Sequence, residues 1–319
     1  MTTRKKYLTN VIFALTLSFL LTILLLSTAH ATSTNTQDEP YRIESFELET
    51  PGELNVNTSG GHITVEGSST NSVRVEMYVR KNGRNYLPED TNLDDWTINI
   101  SQSGNAVTAE AKRRGSGWKL FGNDNFSISF VVYTPEEMST NLNTSGGHIE
   151  MKGLVGNQEI STSGGHLDLN NLQGKIEART SGGHIDLADL EGDIEVRTSG
   201  GHIDVKNAVG KLAVKTSGGH IDLQNVNGSV EAKTSGGNIS ADLKSIDQFA
   251  DLRTSGGNVR IAVPANIKLD LNLRGSYVNT RLENFSGEVD RNEVEGKLNG
   301  GGPMLSARTS GGTVSLSFQ

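Results

Sequence analysis

Histidine recurs at one place in a repeated segment of this chain, directly after a Gly-Gly pair, and in five successive copies a carboxylate follows two residues later. Side chains two residues apart on a strand point to the same face, so this spacing predicts a histidine column beside a carboxylate column. Imidazole and carboxylate groups arranged in this way could bind Zn²⁺, Cu²⁺ or Ni²⁺. The candidate metal ligands are His148, His166, His184, His202 and His220 with Asp168, Asp186, Asp204 and Asp222, and Glu150 continues the acidic column.

A solvated outer face explains the same columns without any metal. The histidine column continues as Asn238, Asn258 and Thr313, and no copy adds a distinctive third ligand. Both interpretations stay open from the sequence; no cofactor is predicted, and we expect the array alone to bind divalent metals weakly. Protonation is a further role, because below about pH 6 charged imidazoles would turn this face from negative toward neutral.

The elements that must position these side chains come from an internal repeat. The tetrad Thr-Ser-Gly-Gly occurs nine times, and six consecutive copies follow one another at the constant interval that separates Thr144 from Thr162. A constant period of this kind indicates one short supersecondary unit stacked on copies of itself. The tetrads begin at Thr58, Thr144, Thr162, Thr180, Thr198, Thr216, Thr234, Thr254 and Thr309.

Two stretches of alternating apolar residues occupy each unit. If the tetrad threonine is position 0, apolar residues fall at positions 5, 7, 10, 14 and 16, and glycine at positions 2, 3 and 12. We expect positive φ at these glycines, where the chain turns. The threonine and serine hydroxyls at positions 0 and 1 could contact ice or a glycan, or bond the amides of the turn, and we expect the turn role. The pattern predicts an all-β protein: a β-solenoid of 18-residue, two-strand coils. An antiparallel sandwich is the alternative.

The chain before Thr144 follows a different pattern. Residues 52–65 read as an early coil, whereas residues 72–134 carry longer alternating runs typical of antiparallel hairpins. We therefore predict an N-terminal antiparallel β cap region over residues 32–143, which covers the strand edges of a solenoid formed by residues 144–319. The segment between Thr254 and Thr309 is predicted to hold three degenerate repeats. Trp118 and Phe121 lie in the least repetitive stretch.

Residues 1–31 have the pattern of a secretory signal peptide. Three basic residues precede an apolar run from Val11 to Leu26, and Ala29-His30-Ala31 resembles a cleavage site. An uncleaved membrane anchor is the alternative, since the run is almost long enough to cross a bilayer. With a net charge of −8 and no cysteine, the chain is expected to bind no nucleic acid and to contain no disulfide.

The TSGGHI and TSGGNI segments, the VVYTP and IAVP strand ends and the exported N-terminus resemble the bacterial putative-adhesin family of β-strand-repeat proteins, a domain of unknown function. The resemblance covers nearly the whole chain after the signal peptide. It implies a β-solenoid exported to the cell envelope, and it carries over no catalytic residue.

Function follows from these patterns only as a class. The Gly-rich segments lack the P-loop and GxSxG contexts, and the sole non-repetitive acidic cluster, Glu89-Asp90 with Asp94-Asp95, reads as a solvated loop. We expect a non-enzymatic protein, exported to the periplasm, the cell surface or the medium, whose partner is an envelope protein or a surface polymer. A polysaccharide-acting β-helix enzyme and a metal- or pH-responsive envelope sensor are the alternatives.

Overall fold

A computed structural model describes residues 39–114 and 126–319, of which residues 40–319 form one compact unit. Regular structure in these ranges is β-strand throughout, which confirms the all-β prediction. The predicted signal peptide, residues 1–31, and the aromatic pair Trp118 and Phe121 lie outside the described ranges. No helix in those ranges has the length and apolar character needed to cross a bilayer.

Nine strands precede the regular repeat in residues 39–114 and 126–144, and they form both coils and antiparallel covers. β2 and β3 flank the first tetrad and form a coil, as predicted for residues 52–65. The nine are β1 (Arg42–Glu47), β2 (Gly52–Thr58), β3 (Ile63–Ser68), β4 (Ser72–Lys81), β5 (Arg84–Tyr86), β6 (Trp96–Ser103), β7 (Ala106–Arg113), β8 (Ser127–Pro135) and β9 (Met138–Thr144).

Six long strands build the regular part of the stack, and each pairs in parallel with the next, in constant register for the first four pairs and with register shifts in the last. Ile185 lies opposite Ile203 and Asp186 opposite Asp204, so equivalent residues of successive units are neighbours. Parallel pairing between repeats confirms the β-solenoid and excludes the antiparallel sandwich. These strands are β10 (Ile149–Thr162), β11 (Leu167–Arg179), β12 (Ile185–Arg197), β13 (Ile203–Lys215), β14 (Ile221–Lys233) and β15 (Ile239–Thr254).

Two positive-φ residues bend each of the long strands β10 to β14 within its coil. Gly192 at position 12 has φ of 130°, as predicted. Asp189 at position 9 has φ of 57°, a left-handed conformation that Asn and Asp tolerate better than other side chains, and the sequence pattern had not been read this way. Asn171, Asn207 and Asn225 occupy the same position with the same sign of φ, so the recurring Asn or Asp was an available signal.

Glycine at position 3 has a steric role that differs from the predicted one. Positive φ occurs at neither Gly182 nor Gly183, so that prediction was wrong. Instead, a Cβ on Gly183 would lie 1.8 Å from the carbonyl oxygen of Gly165 in the preceding coil. Only glycine lets successive tetrad corners approach this closely.

Seven strands end the chain, and their stacking order differs from their chain order. β22 lies between β16 and β18, and β21 between β15 and β17, so the last tetrad is inserted one coil before the end. The predicted run of three degenerate repeats was therefore wrong. The strands are β16 (Val259–Val263), β17 (Leu269–Arg274), β18 (Tyr277–Thr280), β19 (Phe285–Val289), β20 (Glu293–Leu298), β21 (Met304–Thr309) and β22 (Thr313–Phe318).

At the N-terminal end of the stack, too, the stacking order of the strands differs from their order in the chain. β7 and β8 form the outermost coil, and the earlier β2 and β3 lie beneath them, next to β9 and β10. β4 covers β8 and β6 covers β7 by antiparallel pairing, which confirms the antiparallel cap region. Strands from the two sides of residue 143 pair directly, for example β3 with β10. The proposed domain boundary at 143/144 therefore lies within one continuous sheet, and the division into two domains stays a prediction.

A single apolar core runs along the inside of the stack. Its members are the inward positions 5, 7, 10, 14 and 16, and Ile185, Leu187, Leu190, Ile194 and Val196 are each 2% exposed or less. Even positions of the first strand segment point outward, which places the histidine and acidic residues on the outer face.

Candidate functional site: the imidazole and carboxylate columns

The histidines after the tetrads form one continuous stack, which we name the imidazole column. Neighbouring rings lie 4.8–5.0 Å apart between centroids, and their planes differ by 3–8°. His62 of the early coil stacks on His148 and is a sixth member that the sequence-based prediction omitted, although TSGGHI at residues 58–63 carried the same signal. The column contains His62, His148, His166, His184, His202 and His220.

Each imidazole in the column accepts a hydrogen bond through Nδ1 from the backbone N–H of the next coil. The donor His184 N lies 2.8 Å from His166 Nδ1, and His202 N lies 2.9 Å from His184 Nδ1. An accepting Nδ1 is unprotonated, so the proton of the neutral ring is on Nε2, which faces outward.

Asparagine continues this ladder where histidine ends. The backbone N–H of Asn238 donates to His220 Nδ1 at 2.8 Å, and that of Asn258 donates to Asn238 Oδ1 at 2.8 Å. The property shared along the column is therefore a side-chain acceptor for the amide of the following coil. This structural role explains why Asn replaces His at equivalent positions.

The acidic residues at position 6 form a second row on the same face, which we name the carboxylate column. Burial raises the pKa of Asp168, and the neighbouring carboxylate of Asp186 raises it further. Burial also raises the pKa of Asp204, as do Asp186 and Asp222, while His202 and His184 act in the opposite direction. The columns therefore lie side by side, as predicted, and the carboxylates repel one another along the stack.

Most of these outward groups have no side-chain partner in the part of the chain that the structure describes. Within residues 39–114 and 126–319, Asp168, Asp186 and Asp204 make no hydrogen bond or ion pair, and no imidazole Nε2 of the column does so. Asp222 accepts one long bond, 3.5 Å, from Gln224 Nε2. The face thus presents hydrogen-bond donors and acceptors at a spacing of about 4.8 Å, the distance between neighbouring strands.

The second strand segment of each coil presents a different outer face, with acids at position 15 and bases at position 17. Glu177 Oε1 lies 2.7 Å from Lys175 Nζ, and its other oxygen lies 3.3 Å from Arg179. Glu195 pairs with Arg197, and the equivalent pair Glu231 and Lys233 recurs further along the stack. Lys175 lowers the pKa of Glu177 by hydrogen bonding and by its charge. Most charges on this face are therefore paired, although Glu159 and Lys215 have no ion pair within residues 39–114 and 126–319.

The geometry limits how the imidazole column could hold a metal. Two imidazoles on one ion need their nitrogens within about 4.2 Å, twice the Zn–N distance, whereas these parallel rings stack about 5 Å apart with Nδ1 already used. No group of three or more His, Asp or Glu side chains in the described parts of the chain converges on a metal position. Metal binding stays a prediction, restricted by this geometry to one imidazole for each ion.

The tetrad hydroxyls at position 0 are structural. Thr180 is 6% exposed, and its hydroxyl donates to Gly165 O at 2.9 Å and accepts from Gly183 N at 3.2 Å. The same pair of bonds recurs through the stack, for example at Thr198. Of the two roles open for these hydroxyls, turn chemistry is the one the structure shows.

The acidic loop before β6 packs as part of the N-terminal cover. Asp90 Oδ2 accepts a hydrogen bond from the Leu87 N–H at 3.1 Å, which closes a turn. Asp94 and Asp95 line a small open cavity with Trp96 and Phe126. These carboxylates therefore shape a loop, as the solvated-loop interpretation expects.

Comparison with known proteins identifies a family over most of the chain. Residues 53–317 match the family described as Toastrack DUF4097. A putative adhesin from Parabacteroides distasonis is 15% identical, with a TM-score of 0.40 over 88% of this chain and 98% of its own. A putative adhesin from Bacteroides fragilis is 10% identical, with a TM-score of 0.40 over 87% and 96%. A putative lipid binding protein from Parabacteroides distasonis is 13% identical, with a TM-score of 0.41 over 89% and 98%. No curated protein matches the chain.

Proposed function

We propose that this chain, which belongs to the Toastrack DUF4097 family, is an exported, non-enzymatic envelope protein whose solenoid face binds a surface polymer or another envelope protein. The binding surface is the face formed by the imidazole and carboxylate columns. Export rests on the signal-peptide pattern of residues 1–31.

One observation supports this surface above the others: the contrast between the two outer faces. The position-15 and position-17 face pairs most of its charges, as Glu195 and Arg197 do. The columns leave Asp186 and Asp204 without a hydrogen bond or ion pair in the described parts of the chain, and burial together with the nearby Asp186 carboxylate raises the pKa of Asp204. A partner that supplies hydrogen-bond donors or cations along the stack would relieve that repulsion, whereas the other face has little to gain.

Uniformity supports binding over catalysis. Catalytic acids and bases need different environments, whereas Asp168, Asp186 and Asp204 share one environment by repetition. A repetitive partner gains avidity from such an array because each coil adds a weak, equivalent contact.

The test compares both faces in one binding assay. Retention of the purified protein on isolated envelope material would be measured for Asp186→Asn/Asp204→Asn and for the matched control Glu177→Gln/Glu195→Gln. We expect the column variant to lose about tenfold in affinity and the control to bind as the parent does. Equal loss in both variants, or loss in neither, would contradict the proposal.

A second function, acid sensing, is favoured by the Nδ1 ladder. A proton on Nδ1 of His184 would replace an acceptor with a donor facing the His202 N–H, so doubly protonated rings are incompatible with the ladder. Acid would then loosen the tetrad corners along the whole column. ¹⁵N chemical shifts of the imidazoles between pH 8 and 5 test this, and rings that become doubly protonated without change at the tetrad amides would exclude it.

A further inference from the structure

The two ends of the solenoid are covered differently. At the N-terminal end, β4 covers β8 and β6 covers β7. At the C-terminal end, β20 covers β17, but the only strand of the described chain that pairs with β18 is β22, on its inner side. On its outer side, the Val278 N–H donates to Arg291 O of the β19–β20 turn. The half of the last coil beyond Val278 is thus open.

A cavity of about 620 Å³ occupies this open half, which is within the size range of sites for small organic ligands. Leu298 and Leu316 lie at its base with little accessible surface, since they are 1% and 3% exposed. Phe318 adds a half-buried ring, and the polar lining comes mainly from the end of β18 and the loop that follows it.

Thr280 departs from the core pattern in this cavity. It pairs with Leu316, so it continues the inward column that holds Leu187 and Leu223 in other coils. Its Oγ1 is inaccessible to solvent and has no hydrogen-bond partner. A buried polar atom left unpaired at an apolar core position costs free energy, and a ligand would remove that cost once the Thr280 side chain turns its hydroxyl into the cavity that it lines.

The next residue supplies a cation at the mouth of the cavity. Arg281 is exposed and lines the cavity, and within residues 39–114 and 126–319 it makes no hydrogen bond or ion pair. Guanidinium groups bind carboxylates through two parallel hydrogen bonds, and a hydroxyl such as that of Thr280 donates to the same acceptor. Glu283 also lines the mouth, so selectivity between anions and cations must be measured.

We propose that this cavity binds a small amphiphilic carboxylate. Its carboxylate binds Arg281 and the hydroxyl of Thr280 after that side chain turns toward the cavity, and its apolar chain packs chiefly on the ring of Phe318. The site is at the end of the stack, separate from the outer face, so it does not depend on the proposed function.

The experiment uses three probes with the same ten-carbon chain: decanoate, decanol and decyltrimethylammonium. Each is titrated below its micelle concentration into the purified protein, with amide chemical shifts as the readout. We expect saturable decanoate binding with shifts at Ser315 and Ser317, at least fivefold tighter than binding of either other probe. Preference for the ammonium probe, or shifts confined to other regions, would overturn the proposal.

Variants separate charge, hydroxyl and volume. Arg281→Gln should weaken decanoate about tenfold and leave decanol unchanged, whereas Arg260→Gln, on the outside of β16, should change neither. Thr280→Val should weaken decanoate about threefold, and Ala265→Trp should abolish binding of both probes by filling the cavity. If Ala265→Trp fails to fold, the Arg281 and Thr280 variants decide the result. Unchanged decanoate binding in both, or a dimer held together through this end, would overturn the assignment.

Discussion

The backbone N–H of His202 donates a 2.9 Å hydrogen bond to Nδ1 of His184, and this contact between coils recurs along the column. It predicts that the acceptor matters more than the imidazole itself. His184→Leu should destabilise the protein by about 0.5–1.5 kcal/mol, since one intercoil hydrogen bond is lost at an exposed position. His184→Asn should keep the parent stability, because Asn238 already fills this role with its Oδ1. Urea unfolding measures both, and equal loss in the two variants would contradict the prediction.

The tetrad glycines should differ sharply in their tolerance of alanine. Gly183→Ala places a methyl group 1.8 Å from Gly165 O, so the coils must separate, at a cost of about 3 kcal/mol or more. The matched control is Gly182→Ala, whose Cβ would meet nothing nearer than Ser163 O at 4.0 Å. We expect the control to stay within about 0.5 kcal/mol of the parent. Thermal and urea unfolding of the two variants test this, and similar losses would refute the close-approach explanation.

The buried tetrad hydroxyl predicts a second contrast. Thr180→Val keeps the shape but leaves Gly165 O and Gly183 N without their side-chain partner, and should cost about 1–3 kcal/mol. Thr180→Ser retains the hydroxyl and should lose less, mainly through the missing methyl group. The free energy of unfolding in urea distinguishes the pair. If valine were as stable as serine at this position, the hydroxyl would have no structural role.

Stability should fall in mild acid partly because of His62. Burial lowers the pKa of His62, and the nearby charges of His148 and Arg80 lower it further. Because the folded pKa is below the unfolded one, the unfolded chain binds the proton first as the pH falls. The stabilising contribution is therefore complete above about pH 6.5 and is lost progressively below it.

The measurement is urea unfolding at pH 7.5, 6.0 and 5.0 for the parent and for His62→Asn, which keeps a side-chain acceptor and does not titrate. The parent should lose more stability between pH 7.5 and 5.0 than the variant. Asp168 and Asp204 act with the opposite sign at lower pH, because a raised folded pKa makes protonation favour the folded state. Identical pH profiles for parent and variant would exclude a contribution from His62.

The repeat period alone determined the solenoid, the inward and outward positions and the pairing of columns on one face. Because the interval between tetrads is constant, successive copies can follow the same path and stack in register. Equivalent residues then become neighbours, as Asp186 and Asp204 are. The turn at Gly192 also followed from its residue type. The recurring Asn or Asp at position 9 is the sequence signal for the left-handed turn at Asp189.

Tertiary structure decided what depends on distances between coils and on the ends of the stack. The rotamer that turns Nδ1 of His184 toward the next amide, and the approach that requires Gly183, arise only when two coils are placed together. The insertion of β22 between β16 and β18 joins segments far apart in the chain, and no local period records such pairing. The cavity beside Thr280 also depends on the end of the stack. A repeat specifies the contacts between neighbouring coils, and the last coil has no further coil against its outer side.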